Sequence, residues 1–117
     1  MIEFKYDPRV QKYFEDATYS AMVKTIGFDL TKAVKKRVNQ LKASPNFQAF
    51  LQYGVGKPEH LTGTGGKDYS IHVSANFRLI IEPDTEELSP ESLSNCTVVI
   101  IKGVVDYHGG KTNWILP

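Results

Sequence analysis

The sequence predicts an α+β fold in which an N-terminal strand and two helices pack on one face of a small, mostly antiparallel sheet. Three observations support this prediction. Apolar and charged residues alternate over residues 2–6, which is the period-two pattern of a half-buried strand. Apolar residues recur at helical spacing over residues 28–43. The chain from residue 69 to residue 107 is rich in alternating and β-branched stretches.

Two helices are expected after the first strand. Asp7-Pro8 supplies an N-cap residue and a first-turn proline, and apolar residues follow at helical spacing as far as Ala17. The second helix is predicted from Phe28 to Ala43, because its apolar residues form one stripe. Residues 44–46 end that helix, and a short third helical turn is expected over residues 47–51.

The second half of the chain is expected to form the sheet. Glycine and proline mark residues 54–66 as a long irregular connection. Strands are predicted from Tyr69 to Val73, from Phe77 to Glu82 and from Thr97 to Tyr107. Residues 83–95 contain two prolines and few apolar side chains, which predicts a mobile acidic loop.

Two features of the C-terminal region complete the predicted fold. Gly103 lies inside the last strand, where a glycine indicates a bulge or a close contact. Residues 109–117 are interpreted as a tail in which Trp114-Ile115-Leu116 caps the core. A surface for a partner protein or a second copy is the alternative for this apolar triplet.

Composition is that of one soluble domain spanning residues 1–117. Hydrophobic residues make up 41% and charged residues 23% of the chain, which excludes a disordered tail and a collagen-like repeat. The single cysteine, Cys96, cannot form an internal disulfide. No apolar run is long enough to cross a bilayer, so we expect a cytoplasmic protein with no membrane partner.

Charge is unevenly distributed behind a net value of +1. Residues 1–57 contain ten Lys or Arg against five Asp or Glu, whereas residues 58–117 contain four against eight. Five of those eight acids lie in residues 82–91. We therefore expect a basic body and an acidic segment that projects away from any nucleic-acid surface.

A positive stripe is expected on the exposed side of the second helix. It contains Lys32, Lys35 and Lys36. Such a stripe is either an ordinary solvated surface or a face that follows a nucleic-acid backbone.

Chemically versatile residues concentrate at Asp106-Tyr107-His108, where the last strand ends. Alternation along a strand places Asp106 and His108 on one side and Tyr107 on the other. Imidazole is the natural proton-transfer group near neutral pH. Metal chemistry is not indicated, because the three histidines are scattered and no Cys/His spacing matches a zinc site.

Arg78 is the second candidate, since it interrupts the apolar run Phe77 to Ile81. Its guanidinium must reach solvent or a partner, because an unpaired buried charge is costly. One interpretation is a salt bridge to Glu82 or Asp106. The other is a two-pronged contact to a phosphate.

Together these residues resemble a known family. Residues 61–63, the stretch Tyr69-Ser70-Ile71-His72-Val73-Ser74-Ala75-Asn76-Phe77-Arg78-Leu79-Ile80-Ile81-Glu82-Pro83 and residues 104–109 are similar to the RelE/ParE toxin superfamily, most closely to its HigB branch. The resemblance implies a RelE-like fold and a toxin that cleaves messenger RNA on the ribosome without a metal or other cofactor. It also implies a cognate antitoxin, expected to be of the helix-turn-helix type, in a hetero-oligomer, and leaves a homodimer open.

The same resemblance implies roles for individual residues. Arg78 would stabilise the phosphate, His108 would transfer a proton, Tyr107 would orient or stack on the substrate, and Asp106 would hold the histidine. The ribose 2′-hydroxyl would attack the adjacent phosphate, which requires a base, an acid and a cation.

Further RNA contacts follow from departures from the family pattern. Thr62 stands where several HigB-type toxins have lysine, so Lys67 or His60 would supply that contact. His72 stands where arginine is common and is counted as an RNA-binding residue. The lysine stripe would follow RNA backbone. The alternative is a non-catalytic binder of the same fold, either a gyrase poison or an inactive antitoxin-binding domain.

Overall fold

The computed structural model describes residues 1–62 and 66–117, and these form six strands and four α-helices. The strands are β1 (Glu3–Tyr6), β2 (Glu59–His60), β3 (Tyr69–His72), β4 (Phe77–Pro83), β5 (Val98–His108) and β6 (Lys111–Leu116). The helices are α1 (Ser20–Ile26), α2 (Phe28–Ala43), α3 (Phe47–Tyr53) and α4 (Pro90–Ser94). Part of the predicted glycine-rich connection, residues 63–65, lies outside the described residues.

One sheet of order β1-β5-β4-β3-β2 organises these elements, with β6 also paired to β5. Among the described strands only β1 runs parallel to its neighbour, so the sheet is mostly antiparallel as predicted. The long strand β5 pairs with β1 through residues 98–101 and with β6 through residues 104–108, on the edge opposite β4. Strands β5 and β6 thus form a hairpin, and β6 pairs with the part of β5 that lies beyond β1.

The helices cover one face of the sheet and bury the core. The apolar stripe of α2 is buried, which confirms the predicted helix and its bounds. Phe47 and Phe50 of α3 are fully buried, and the ring centres of Phe47 and Tyr69 of β3 lie 5.1 Å apart. The predicted α+β arrangement is confirmed. Within the described residues, none of the helices is long and apolar enough to cross a membrane.

The helix predicted to begin at Asp7-Pro8 is wrong. Instead of capping an α-helix, the Asp7 carboxylate accepts hydrogen bonds from the backbone and side chain of Arg9, and only a one-turn 3-10 helix follows, over Gln11–Phe14. The first α-helix begins at Ser20, where the carboxylate of Asp16 accepts from the Ser20 amide and hydroxyl. Side-chain hydrogen bonding by aspartate therefore overrides the apolar spacing.

The acidic segment is also not a loop throughout. Its second half forms α4, with Pro90 in the first turn and the Ser89 hydroxyl accepting from the Ser92 amide at 3.2 Å. Leu93 is the buried residue of this helix, and α4 contacts α3. The buried leucine gives this short helix an apolar contact with the core. One apolar residue in a highly charged segment is too weak a pattern to predict a helix.

The C-terminal region forms a strand rather than a tail. Gly109 and Gly110 have φ values of 59° and 76°, so they make the tight turn that returns the chain along β5. Leu116 is fully buried and caps the core as expected, whereas Trp114 is 54% exposed, so that part of the prediction is wrong. The close contact predicted at Gly103 is confirmed, because a Cβ there would lie 2.2 Å from the Leu116 carbonyl oxygen.

Candidate functional site

The sheet has a face turned away from the helices, which we call the open face. Side chains alternate along β4 and β5, so Leu79 and Val104 enter the core while Arg78, Val105 and Tyr107 lie on the open face. The open face carries the candidate site.

Strand register brings residues that are distant in sequence into one row across the open face. His72 pairs with Arg78, and Arg78 pairs with Val105. Tyr107 follows two residues further along β5, opposite Thr112 of β6. The row borders a pocket of about 180 Å³, lined by Glu59, Leu61, Ser70, His72, Arg78, Ile80, Val105, Tyr107 and Thr112.

Arg78 presents the cation of this pocket. Its Nη1 donates to the carbonyl oxygens of Ser74, Ala75 and Phe77 at 3.1–3.3 Å, which fixes the side chain over the β3–β4 turn. The guanidinium carbon lies 5.8 Å from the centre of the Tyr107 ring, within the range of a cation–π contact.

The salt bridge considered for Arg78 does not form. Glu82 pairs with Lys102 at 3.4 Å, and Asp106 pairs with His108 at 2.9 Å. Within residues 1–62 and 66–117, no carboxylate forms an ion pair with Arg78. Its positive charge is therefore available to an anion in the pocket.

His72 lies beside Arg78 in a setting that favours the neutral imidazole. Burial lowers the pKa of His72 from its ordinary value of 6.5, and the positive charge of Arg78 lowers it further. Glu59 acts in the opposite direction. The backbone of His72 is held between α2 and the loop before β2, because its carbonyl accepts from Arg37 Nε at 2.7 Å and its amide donates to Gly56 at 2.7 Å.

Glu59 is the pocket residue that sequence reasoning missed. It belongs to the two-residue strand β2, which pairs with Ser70 and Tyr69 of β3. Two residues are too few to show alternation, so the sequence offers no signal that separates β2 from an irregular connection. The pairing supplies the pocket with a carboxylate that can accept a proton.

Asp106 and His108 lie outside the pocket lining. The structure confirms that they share one side of β5 while Tyr107 takes the other: Asp106 borders a shallow cleft with Phe77 and residues of α1 and α2, on the helix side. His108 Nδ1 lies 2.9 Å from Asp106 Oδ1, and the imidazole is exposed at the end of the strand. The pair is thus next to Tyr107 in sequence but faces the opposite way.

Two other predicted RNA contacts are also outside the pocket. The His60 ring is tilted by 40° against the Tyr69 ring, with 5.2 Å between ring centres, and its Nε2 lies 3.1 Å from the Gly66 carbonyl oxygen. Lys67 donates to the carbonyl oxygen of Thr85, in the acidic segment. His72 is the predicted RNA-binding residue that the structure brings to Arg78.

The lysine stripe lies on the far side of the molecule. The buried side of α2 faces the core, so Lys32, Lys35 and Lys36 border a shallow groove that faces away from the sheet. Lys35 also donates to the carbonyl oxygen of Ala17 and lies 5.6 Å from the Tyr19 ring. One short strand of nucleic acid cannot occupy the pocket and follow the stripe at the same time.

The acidic segment does not cover the pocket. Glu82 is on the open face, but it is four residues from Arg78 along β4, or about 13 Å, and its charge is paired with Lys102. Asp84 pairs with Lys5 at 2.9 Å. None of the acids in residues 82–91 lines the pocket, which supports the expectation that this segment leaves it open.

The groups in the pocket suit chemistry on a phosphate. Arg78 can bind two phosphate oxygens, Glu59 and neutral His72 can accept a proton, and the Tyr107 phenol can donate a hydrogen bond or stack on a base. Among the described residues, no three His, Cys, Asp or Glu side chains are grouped so as to hold a metal ion.

Comparison with known proteins gives a match at the level of fold. No family model and no curated protein matches the sequence. A chain in the structure of the YoeB–YefM complex from Staphylococcus aureus superimposes with a TM-score of 0.54 at 18% identity, covering 92% of this chain and 98% of that one. The chain therefore has the α+β, RelE-like fold of that structure.

Proposed function

We propose that this protein is the toxin of a toxin–antitoxin pair and acts as a metal-independent endoribonuclease on ribosome-bound messenger RNA. The observation that carries the proposal is the guanidinium of Arg78 in an open-face pocket beside Tyr107, with no carboxylate partner in the part of the chain that the structure describes. The fold shared with a chain of the YoeB–YefM complex supports the toxin assignment. The sequence resemblance favours the HigB branch, and action on ribosome-bound message requires a cytoplasmic protein.

The proposed reaction is an internal transfer at one phosphate. The ribose 2′-oxygen attacks phosphorus, the bond to the 5′-oxygen breaks, and the products are a 2′,3′-cyclic phosphate and a 5′-hydroxyl. Arg78 binds the two non-bridging oxygens as negative charge develops on them. Glu59 takes the proton of the 2′-hydroxyl, with neutral His72 beside it.

Protonation of the leaving 5′-oxygen is assigned to His108. Asp106 holds its Nδ1, which leaves Nε2 to carry the proton. Because this pair faces the helix side, the substrate must pass around the end of β5 for His108 to reach it. Tyr107 stacks on the base next to the cleaved phosphate.

Partners of the proposed toxin are assigned by surface. The antitoxin, expected to be of the helix-turn-helix type, forms a hetero-oligomer with the single domain 1–117. The stripe of Lys32, Lys35 and Lys36 contacts ribosomal RNA rather than the cleaved strand, since it faces away from the pocket. His60 and Lys67 contact RNA only beyond the pocket edge.

The test is to add the purified protein to a translating extract and map the ends of a reporter message. Wild-type protein is expected to produce new 5′-hydroxyl ends, and Arg78→Ala is expected to reduce their yield at least a hundredfold (about 2.7 kcal/mol). Arg9→Ala is the matched control, because it removes an exposed arginine away from the pocket. A message that stays intact in the extract while translation falls in an Arg78-dependent way would contradict nuclease action. Double-strand DNA breaks with intact message in cells that express the protein would favour the gyrase-poison alternative.

Variants at the proposed proton-transfer residues test which side chains move the protons. Glu59→Gln is expected to slow cleavage by about a hundredfold or more. Tyr107→Phe is expected to be milder than His108→Gln, because stacking survives loss of the phenol hydroxyl. Full activity of His108→Gln beside an inactive Glu59→Gln would move both proton transfers into the pocket.

A further inference from the structure

Trp114 is an exposed aromatic residue that the proposed reaction does not use. It is 54% exposed, and Tyr107 is 48% exposed. Trp114 is paired with Val105 across the β5–β6 hairpin, and Tyr107 with Thr112. Because directly paired residues share a face, Trp114 lies on the open face together with Tyr107.

Spacing along the hairpin separates the two rings in a defined way. Tyr107 and Trp114 are diagonal neighbours, and such residues lie about 7–8 Å apart, with their Cβ atoms somewhat closer. That is roughly twice the 3.4 Å rise between stacked bases. This spacing leaves room for one base on each ring, as in modules that splay single strands over separate aromatic side chains.

Gly103 positions the indole. A Cβ at Gly103 would lie 2.9 Å from Cζ3 of Trp114, so the absence of a side chain there lets the ring edge rest against β5. The contact restrains the ring while about half of the residue stays accessible to solvent. A restrained, half-exposed ring loses little conformational entropy when a flat ligand stacks on it.

We propose that Trp114 is a stacking platform for a second nucleobase of single-stranded RNA, next to the nucleotide held by Arg78 and Tyr107. This inference depends on the proposed function, since it assigns the path of the same substrate. RNA is favoured over a protein partner because Trp114 lies on the same face of the sheet as the pocket that binds the substrate. The neighbouring exposed side chain on β6, Thr112, is polar, so the indole is not the centre of an apolar patch.

The experiment uses the intrinsic fluorescence of Trp114, the single tryptophan of the chain. The full protein is titrated with a short 2′-O-methyl oligoadenylate, which cannot be cleaved because it has no 2′-hydroxyl. Fluorescence is expected to be quenched in parallel with binding measured by anisotropy of an end-labelled oligonucleotide. An abasic nucleotide at one position is expected to relieve the quenching.

Substitutions separate stacking from packing. Trp114→Leu keeps apolar cover over Gly103 without an aromatic face, and it is expected to weaken binding between 5- and 100-fold. Trp114→Phe is expected to restore most of the affinity. Phe28→Leu is the matched control, because Phe28 is an exposed aromatic residue of the helix layer.

Each alternative outcome overturns the proposal in a recognisable way. Unchanged affinity of Trp114→Leu, with cleavage still lost in Arg78→Ala, would exclude the platform and leave the proposed nuclease intact. Absence of quenching together with absence of RNA binding by wild-type protein would contradict the platform, and the proposed nuclease would fall only if the reporter message also stayed intact in the translating extract. Loss of antitoxin binding by Trp114→Leu with RNA binding unchanged would assign the ring to the protein partner instead.

Discussion

Replacement of Gly103 by alanine tests how β6 is seated on β5. The new Cβ would lie 2.2 Å from the Leu116 carbonyl oxygen and 2.9 Å from the Trp114 ring, and the first neighbour is backbone that cannot rotate away. Gly103 also has a φ of 152°, which L-residues rarely adopt. Both effects oppose the native arrangement.

The magnitude follows from these two costs. Overpacking of this kind costs about 1–3 kcal/mol, and the backbone strain adds about 1–3 kcal/mol. We therefore expect the free energy of unfolding to fall by about 2–6 kcal/mol, and Tm by roughly 8–25 °C for a chain of this size. Detachment of β6 would relieve the clash and would shift the emission of Trp114 to longer wavelength.

Urea and thermal denaturation followed by circular dichroism measure the loss. Gly54→Ala is the matched control, because Gly54 has a φ of 70° but no atom within 4 Å of a Cβ placed there. It is expected to cost only about 1–2 kcal/mol. Equal losses in the two variants, or a Gly103→Ala protein as stable as wild type, would refute the close seating of β6.

Three further predictions concern charge and packing. Hydrogen bonds from Arg9 lower the pKa of Asp7 to about 2. The ionised Asp7 carboxylate therefore stabilises the fold above pH 4, and this stabilisation is lost as pH falls toward 2. In Asp7→Asn, the free energy of unfolding should depend less on pH over that range. Imidazole proton signals of His72 should titrate below pH 6.5, because burial and Arg78 lower its pKa, and Arg78→Gln should raise that midpoint. An unchanged His72 midpoint in the Arg78→Gln variant would contradict the influence of Arg78 on the pKa of His72. Leu93→Ala should cost about 2–4 kcal/mol in urea denaturation because the side chain is buried, whereas exposed Glu87→Ala should change stability by less than about 0.5 kcal/mol.

Long elements could be predicted because their signals are local and repeated. The stripe of α2 extends over four turns, and its bounds match the structure. Arg78 and Tyr107 lie on two strands that the sequence predicts for one sheet, and the structure brings both residues to one pocket. By contrast, β2 and β6 depend on partners that lie far away in sequence.

Other parts of the site depend on tertiary structure and could not be predicted. Glu59 reaches the pocket only because β2 pairs with β3. The alternation that separates Asp106 and His108 from Tyr107 was predicted, but only the packed helices decide which side is the pocket. The start of α1 depends on hydrogen bonds to Asp16 that no periodicity records.

The central position of β5 has a consequence for how the protein is made. This strand pairs with β1, β4 and β6, and it is formed by residues 98–108. During synthesis, β1 must therefore wait for a partner that is made about 95 residues later, and the helices have no completed surface to cover. Such distant pairing slows folding. Arg78 and Tyr107 meet only when β5 joins β4, so the nascent chain carries no assembled pocket until residue 107 has left the ribosome.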